Sequence, residues 1–250
     1  MNEEVQMSGG AGALAGQTVV VIGGSGGIGF ETARLARAEG AEVVLTGRNA
    51  ERLEKAASEI GAKSTAAFDA ADEAALEAFL GDLETPIDHL LSTAGRPYYG
   101  PLPELDFAAA RRSLDDHFWL AIHVAQLSIG KVRPGGSLLF MSGTGGRSRG
   151  VGLSIIAAFT AAMPALVENL AVEVAPIRVN LIAPGFVDTG LSADLLGDQL
   201  EARRQQLRDT LPIRRVVGPE DVGALAIHLM TNTALTGATY DVDGGQQLVS

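Results

Sequence analysis

The stretch Ile22-Gly23-Gly24-Ser25-Gly26-Gly27-Ile28-Gly29 decides the fold of this chain. It follows the β-branched run Thr18-Val19-Val20-Val21 and precedes residues 30–37, which have helical spacing. Glycine is required where a backbone turns sharply and approaches a diphosphate so closely that a Cβ would collide. The first N–H groups of the following helix then face the phosphates, where the helix dipole favours negative charge. The order strand, glycine turn, helix therefore predicts a dinucleotide site, the alternative being a flexible turn.

Composition limits the remaining possibilities. The length of 250 residues suits one α/β domain, and 46% hydrophobic residues allow a large core. The net charge of −11 argues against nucleic-acid binding, which relies on Lys and Arg. The chain has no cysteine, and its histidines have no neighbours that indicate a metal site. Residues 1–12 are predicted to be a flexible tail without a signal peptide. The longest apolar region, residues 155–167, is too short for a membrane span, so a cytoplasmic protein is expected.

Strand-like and helix-like segments alternate along the rest of the chain. This alternation predicts βαβ units with right-handed crossovers and a parallel sheet. No linker or change of composition interrupts it, so residues 13–250 are predicted to form a single domain. Further strands are expected at residues 42–46, 64–68, 89–92, 137–141, 178–182 and 239–242, and helices at about residues 72–83, 107–130, 154–174, 192–210 and 219–230.

Several motifs in the same order make the chain similar to the short-chain dehydrogenase/reductase family over about residues 14–248. The family's Thr-Gly-x-x-x-Gly-Ile-Gly motif matches Ile22 to Gly29, with Ile22 in place of the Thr. Ser92-Thr93-Ala94-Gly95 resembles its Asn-Asn-Ala-Gly segment, residues 178–185 its sixth strand and Pro-Gly turn, and residues 242–245 its last strand. The resemblance implies an α/β fold with a single Rossmann-type, doubly wound parallel sheet of about seven strands, helices on both faces and a nicotinamide cofactor.

The resemblance also implies which residues hold that cofactor. Asp69, after the third strand, would meet the adenine, and Val187 and Thr189 would approach the nicotinamide amide. The full predicted set is Gly23, Ser25, Gly27, Ile28, Gly29, Arg48, Asn49, Asp69, Ala94, Gly95, Thr160, Pro184, Gly185, Val187 and Thr189.

The end of the second strand distinguishes NADP from NAD. NAD-binding proteins of this type place an Asp or Glu there to bond the ribose hydroxyls. Here the strand ends Thr46-Gly47-Arg48-Asn49, with no carboxylate before Glu51. Arg48 can pair bidentately with a 2′-phosphate, which a carboxylate would repel, although it can also be an ordinary solvated arginine. Many NADP-binding relatives carry a second basic residue in the glycine loop, where this chain has Gly26. The sequence favours NADP, as NADPH, over NAD.

The family's catalytic residues are missing where the resemblance places them. In the family a Tyr transfers the proton and a Lys four residues later lowers its pKa. An upstream Ser binds the substrate oxygen, and an Asn on an earlier helix supports a proton relay. These positions fall on Ile156, Thr160, Gly143 and His117, and no Tyr-x-x-x-Lys exists in the chain. The family's ordinary mechanism is therefore excluded, but hydride transfer is not, because the hydride belongs to the cofactor.

Three residues are candidate substitutes. His117 can titrate near neutral pH beside the cleft, or it can be a helix histidine that fills space. Arg147 lies in a loop that borders the substrate in this family and can polarise a carbonyl or hold an anion, or be solvated. Ser142 offers a hydroxyl next to Gly143, but a one-residue offset turns a strand side chain to the opposite face.

Two functions from different classes follow. The first is an NADP(H)-dependent oxidoreductase of the short-chain type, with a non-standard catalytic site, that acts on a small carbonyl or other unsaturated compound. The second is a catalytically inactive NADP(H)-binding sensor or structural subunit.

Relatives pair the helix at residues 154–174 across a two-fold axis. It is apolar on more than one face, so a homodimer or homotetramer is expected.

Overall fold

A seven-stranded parallel sheet forms the centre of the protein. The computed structural model describes residues 12–83 and 86–249. The strand order is β3-β2-β1-β4-β5-β6-β7, and every neighbouring pair is parallel. The predicted Rossmann-type sheet is therefore confirmed. The strands are β1 (Thr18–Ile22), β2 (Glu42–Gly47), β3 (Ser64–Ala67), β4 (Ile87–Ser92), β5 (Val132–Met141), β6 (Arg178–Pro184) and β7 (Thr239–Val242).

Helices cover both faces of the sheet. Because both faces are buried, successive residues of a strand enter different cores. Val20 and Ile22 of β1 pack into one hydrophobic cluster, and Val19 and Val21 into the other. The helices are α1 (Gly27–Ala38), α2 (Ala50–Ile60), α3 (Glu73–Asp82), α4 (Phe107–Leu114), α5 (Leu120–Ser128), α6 (Ser154–Glu173), α7 (Gly190–Leu196), α8 (Leu200–Thr210) and α9 (Pro219–Thr231).

Two predicted helices are interrupted in the structure. The helix expected at residues 107–130 consists of α4 and α5 joined by a π-helical turn, Asp115–Trp119. The helix expected at residues 192–210 is divided between α7 and α8, because Gly197 takes a positive φ of 50°. Of the predicted tail, only Gly12 lies within the described residues, so its flexibility stays a prediction.

The apolar region of α6 is longer than the sequence suggested. In the part of the chain that the structure describes, α6 is the one helix with the length and hydropathy of a membrane span. Its Phe159, Met163 and Val167 are nevertheless buried in the core beside the sheet. This is the position of a core helix, in which length and composition alone do not indicate a membrane span.

Two buried polar side chains fix the sheet at its amino end. His89 on β4 bonds Gln17 Oε1 through Nε2 (2.7 Å) and Ser137 Oγ through Nδ1 (2.8 Å). Because the Gln17 oxygen only accepts, the ring is the neutral Nε2–H tautomer. Arg178 on β6 donates to five backbone carbonyls at 2.7–3.3 Å, among them Leu229 and Met230 at the end of α9. These bonds satisfy the last carbonyls of that helix.

Candidate active site

A cavity of about 1270 Å³ runs along the carboxyl ends of the strands. From β1 the strands β2 and β3 follow on one side, and from β4 the strands β5, β6 and β7 follow on the other. The strand order therefore reverses between β1 and β4. Ligands of open α/β sheets bind at such a switch point. The predicted cofactor residues that line the cavity are Gly23, Ser25, Gly27, Ile28, Gly29, Arg48, Asp69, Ala94, Gly95, Thr160, Pro184, Gly185, Val187 and Thr189.

Close contacts explain why the turn between β1 and α1 consists of glycine. Gly23 has a φ of +95°, and a Cβ on Gly29 would lie 2.3 Å from the Gly23 carbonyl oxygen. Thr93 holds this turn, because its N–H donates to the Ile22 carbonyl (2.8 Å) and its hydroxyl to the Gly23 carbonyl (3.1 Å). Helix α1 begins at Gly27 without a side-chain cap, which leaves its first N–H groups to an anion in the cavity. The turn therefore fits a diphosphate.

Asn49 caps a helix in the structure, and Arg52 lies at the cavity. Asn49 does not line the cavity, because its side chain caps α2 by accepting the Arg52 N–H (2.8 Å). This cap places Arg52 on the first turn of α2, where its guanidinium is 3.3 Å from the point a Cβ on Gly26 would occupy. Arg52 thus supplies positive charge beside the loop position that lacks a basic side chain. Together with Arg48, which follows β2, it fits a 2′-phosphate.

The π-helical turn brings His117 to the cavity. A Cβ on Gly95 would lie 2.8 Å from His117 Nε2, so the ring packs directly against this glycine. The other neighbour is Phe159 of α6, whose ring centroid is 4.7 Å from that of the imidazole. π-Helical turns inside α-helices are frequently found at functional sites. His117 is therefore both a cavity residue and part of the packing between α6 and the segment after β4.

Hydrogen bonding and burial together determine the protonation state of His117. Its Nδ1 is 2.7 Å from the Ser113 carbonyl oxygen, which can only accept, so Nδ1 carries the proton. Burial lowers the pKa of His117, so the ring is neutral at physiological pH and Nε2 is an acceptor. Burial raises the pKa of the neighbouring Asp116, which also lines the cavity.

The positions assigned to the missing catalytic residues do meet in the cavity. A Cβ on Gly143 would lie 3.8 Å from Thr160 Cγ2, and one on Gly145 would lie 3.6 Å from both Ile156 Cγ1 and Thr160 Oγ1. Ile156 and Thr160 are buried and line the cavity wall. The Thr160 hydroxyl donates to the Ile156 carbonyl (2.6 Å), so its proton is used within the helix. Among the described residues, Gly143, Ile156 and Thr160 therefore offer no free proton donor in this part of the cavity wall.

Ser142 and Arg147 have different environments from each other. Ser142 lines the cavity, and its buried Oγ has no hydrogen-bond partner in the described residues. The strand β5 ends at Met141, and the Ser142 N–H still donates to the Ile182 carbonyl of β6 (3.0 Å). Arg147 does not line the cavity. Its guanidinium makes a bidentate pair with Asp241 on β7 (2.6 Å for both contacts), so the structure does not bring it to the cavity with Ser142 and His117.

The segment after β6 folds back over the cavity. Thr189 caps α7 by accepting the Ser192 N–H (3.3 Å), and its side chain would lie 3.6 Å from a Cβ on Gly27. Val187 forms an isolated bridge with Val217, which fixes the base of this segment. The segment from the Pro184-Gly185 turn through α7 and α8 therefore forms a lid over the cavity. Its Thr189 reaches the glycine turn.

Sequence reasoning did not assign Arg52, Asp116 and Arg203 to the cavity, although all three line it. Arg52 had a usable signal, since a helix capped at Asn49 directly after β2 must place its first turn near the glycine loop. Asp116 depends on the π-helical turn, and Arg203 depends on how the lid folds back. Neither has a signal in the local sequence pattern.

Comparisons with known proteins agree with this architecture. A family model described as Enoyl-(Acyl carrier protein) reductase matches residues 22–247. The short-chain dehydrogenase/reductase ATR9 of Stachybotrys chlorohalonatus is 32% identical, with 93% of this chain and 97% of that protein covered. The structure of MalC Reductase/Diels-Alderase from Malbranchea aurantiaca superposes with a TM-score of 0.87 at 28% identity, covering 95% of this chain and 99% of the other. A small-chain dehydrogenase in complex with NADPH gives a TM-score of 0.80 at 29% identity, covering 93% and 99%.

Proposed function

Because the chain belongs to the short-chain dehydrogenase/reductase family of oxidoreductases, we propose that it is an NADP(H)-dependent reductase of a small carbonyl or other unsaturated compound. One observation carries the proposal. The glycine turn, the uncapped start of α1 and the guanidiniums of Arg48 and Arg52 lie at one cavity and together offer the backbone N–H groups and the positive charge that NADPH would need. Within residues 12–83 and 86–249, neither guanidinium makes a hydrogen bond or ion pair with another side chain, so both are available to a 2′-phosphate.

When bound, NADPH supplies the hydride, and the chain has to bind the substrate and polarise the bond that is reduced. Ser142 is the proposed hydrogen-bond donor to the substrate, since the residue lines the cavity and its buried Oγ has no hydrogen-bond partner in the described residues. His117 is the proposed acceptor, because its one proton is already bonded to the Ser113 carbonyl. In this scheme the proton that completes the reduction comes from water in the open cleft. The enzyme would then suit a substrate that needs polarisation but no strong general acid.

The test is NADPH oxidation, followed by its absorbance, against a panel of quinones, imines and carbonyl compounds. With an active substrate, Ser142→Ala should lower kcat by about 10²-fold, the usual loss for one donor to a developing oxyanion. His117→Ala should raise KM more than it lowers kcat if the ring only positions the substrate. Thr210→Ala, on the exposed end of α8, is the matched control for loss of a hydroxyl. An unchanged kcat in Ser142→Ala would exclude the proposed role of Ser142.

The second candidate function is an inactive NADP(H)-binding sensor or structural subunit. It is supported by the replacement of the proton-donating wall with Gly143, Ile156 and Thr160. Micromolar binding of NADPH with no turnover of any compound on the panel would favour this function over the reductase. Turnover of a single compound that is abolished by Ser142→Ala would favour the reductase.

We also propose that the protein is a homodimer or homotetramer paired through α6. The face of α6 opposite the core is exposed, and its amino-terminal half consists of alanines that allow close helix packing. Size-exclusion chromatography with light scattering gives the state directly. Ala162→Glu should dissociate an assembly paired through this face. The exposed residues of this face are Ala158, Ala161, Ala162, Ala165, Glu168, Asn169 and Val172.

A further inference from the structure

The three arginines of α8 differ in their partners. Arg204 pairs with Asp188 through two contacts of 2.7 and 2.8 Å, and Arg208 pairs with Glu201 at 2.6 Å. Arg203 donates to the neutral Gln206 Oε1 at 2.8 Å and makes no ion pair in the part of the chain that the structure describes. Arg203 is half-buried. Unlike Arg204 and Arg208, it lines the cavity. Arg203 is thus the guanidinium of the lid whose charge is not neutralised.

Arg203 lies beside the segment that follows β6, whereas the residues proposed to hold the cofactor phosphates follow β1 and β2. Its guanidinium carbon is 5.8 Å from the centre of the Phe186 ring. Phe186 follows β6, and its N–H donates to Gln246 Oε1 (3.0 Å) beyond β7. The glycine turn and Arg48 follow β1 and β2. The strand order puts three strand intervals between β1 and β6, which corresponds to about 14 Å.

The environment of Arg203 favours an anion. Burial lowers its pKa, but an arginine stays charged in a protein, so the cost of desolvating the cation remains. A partly buried cation without a counter-ion gains the most from a bound carboxylate, which accepts two of its N–H groups. Phe186 below it offers a flat apolar surface that holds the guanidinium plane in place. In a chain of net charge −11, such a spot is a local attraction for an anionic ligand.

We infer that Arg203 binds a carboxylate of the substrate, so that the compounds reduced are oxo acids or unsaturated acids rather than neutral carbonyl compounds. The inference rests on the proposed function, because it assigns the ligand of the same cleft. The anion-binding role that the sequence suggested for Arg147 thereby passes to the lid. The carboxylate would be held at the Phe186 end of the cavity, and the reducible bond would lie toward Ser142 and His117.

The test compares acids with their methyl esters. Levulinate, acetoacetate and 3-benzoylpropanoate, each against its ester, are titrated calorimetrically into the protein saturated with the oxidised cofactor NADP⁺, which cannot reduce them. At least one acid should bind 10-fold or more tightly than its ester. Arg203→Gln should abolish that preference, and Arg203→Lys should restore part of it, since an ammonium keeps the charge but loses the bidentate geometry. Arg208→Gln, on the same helix but outside the cavity, is the charge-matched control and should keep the preference.

The outcomes separate this inference from the reductase proposal. An acid preference that depends on Arg203 supports it even if no compound oxidises NADPH, in which case only the reductase proposal fails. Turnover of neutral compounds with no acid preference would overturn it and leave the reductase proposal intact. If Arg203→Gln instead weakens NADPH binding itself, the anion at Arg203 is a cofactor phosphate and the inference is wrong. It is also wrong if no acid binds more tightly than its ester, or if the preference survives in Arg203→Gln.

Discussion

Replacing Arg48 or Arg52 by alanine should weaken NADPH binding while leaving NADH binding almost unchanged. The two cofactors differ only in the 2′-phosphate, so a residue that reads this group acts on one and not on the other. Arg48 follows β2, and the guanidinium of Arg52 is 3.3 Å from the Cβ position of Gly26, so the two approach the same end of the cavity. The effect on the ratio of the two dissociation constants therefore measures phosphate recognition directly.

The expected size follows from exposure and charge. A hydrogen bond to a charged group contributes roughly 1.5–3 kcal/mol. Both arginines are exposed in the absence of a ligand, so solvent screening places each at the lower end of that range. About 1.4 kcal/mol corresponds to a tenfold change in affinity, so each single variant should lose about tenfold for NADPH. Because both groups would contact one phosphate, the double variant should depart from additivity.

The assay is the change in nicotinamide fluorescence on titration with each cofactor. Arg34→Ala is the matched control, because Arg34 lies on the outer face of α1, pairs with Glu31 at 2.6 Å and does not line the cavity. Its NADPH affinity should not change. Equal weakening of NADPH and NADH in the Arg48 and Arg52 variants would refute phosphate recognition. So would an unchanged NADPH affinity in both.

Three further predictions concern stability and catalysis. Burial lowers the pKa of His89 to about 4, so as the pH falls the unfolded chain protonates this histidine before the folded chain does. The free energy of unfolding should therefore fall by about 3 kcal/mol from pH 6.5 toward pH 4. In urea melts, His89→Gln should flatten this dependence of stability on pH. Arg178→Met should lower the free energy of unfolding by about 3–5 kcal/mol, because it leaves buried carbonyls without a donor. The triple change Gly143→Ser, Ile156→Tyr and Thr160→Lys should raise carbonyl reduction by at least about 10²-fold, since it restores a general acid and an oxygen-binding hydroxyl.

Each of these predictions has a control and a contrary outcome. If the stability of His89→Gln depends on pH as steeply as that of the natural protein, other groups cause the loss of stability in acid. A loss below about 1 kcal/mol in Arg178→Met would mean that water replaces the guanidinium. The single change Gly143→Ser is the control for the triple variant. It is sterically allowed, because its Cβ would be 3.6 Å from the nearest atom and the φ of −168° is extended. A folded triple variant that binds NADPH without gaining activity would contradict the assignment of these positions.

The features that the sequence predicted best are local ones. The β-branched run, the glycine turn and the helix after it are neighbours in the chain, so their residue types alone determine their arrangement. The positions of Gly143, Ile156 and Thr160 were assigned from the family resemblance, with the strand at residues 137–141 and the helix before Arg178 as anchors. The parallel sheet followed from the alternation of strands and helices, and its number of about seven strands followed from the resemblance.

The differences arise where a distant or competing partner decides. Arg147 is held by Asp241, 94 residues away, which no local pattern indicates. Asn49 can bind a ligand or cap a helix, and the backbone N–H of Arg52 is the nearer partner. The π-helical turn adds one residue to a helix whose periodicity looks regular, so the surroundings of His117 and Asp116 had to come from the structure.

The bonds from Thr93 to the glycine turn also determine when that turn can form during synthesis. Thr93 lies 70 residues after Gly23, and β1 pairs with β4 over the same separation. A ribosome that adds about 5–20 residues per second needs roughly 4–14 s to cover this distance. Through that interval the apolar strand β1 has emerged without its neighbour on one side and exposes a surface that chaperones bind. The glycine turn is therefore translated early but becomes competent to bind a nucleotide only after the fourth strand has been made.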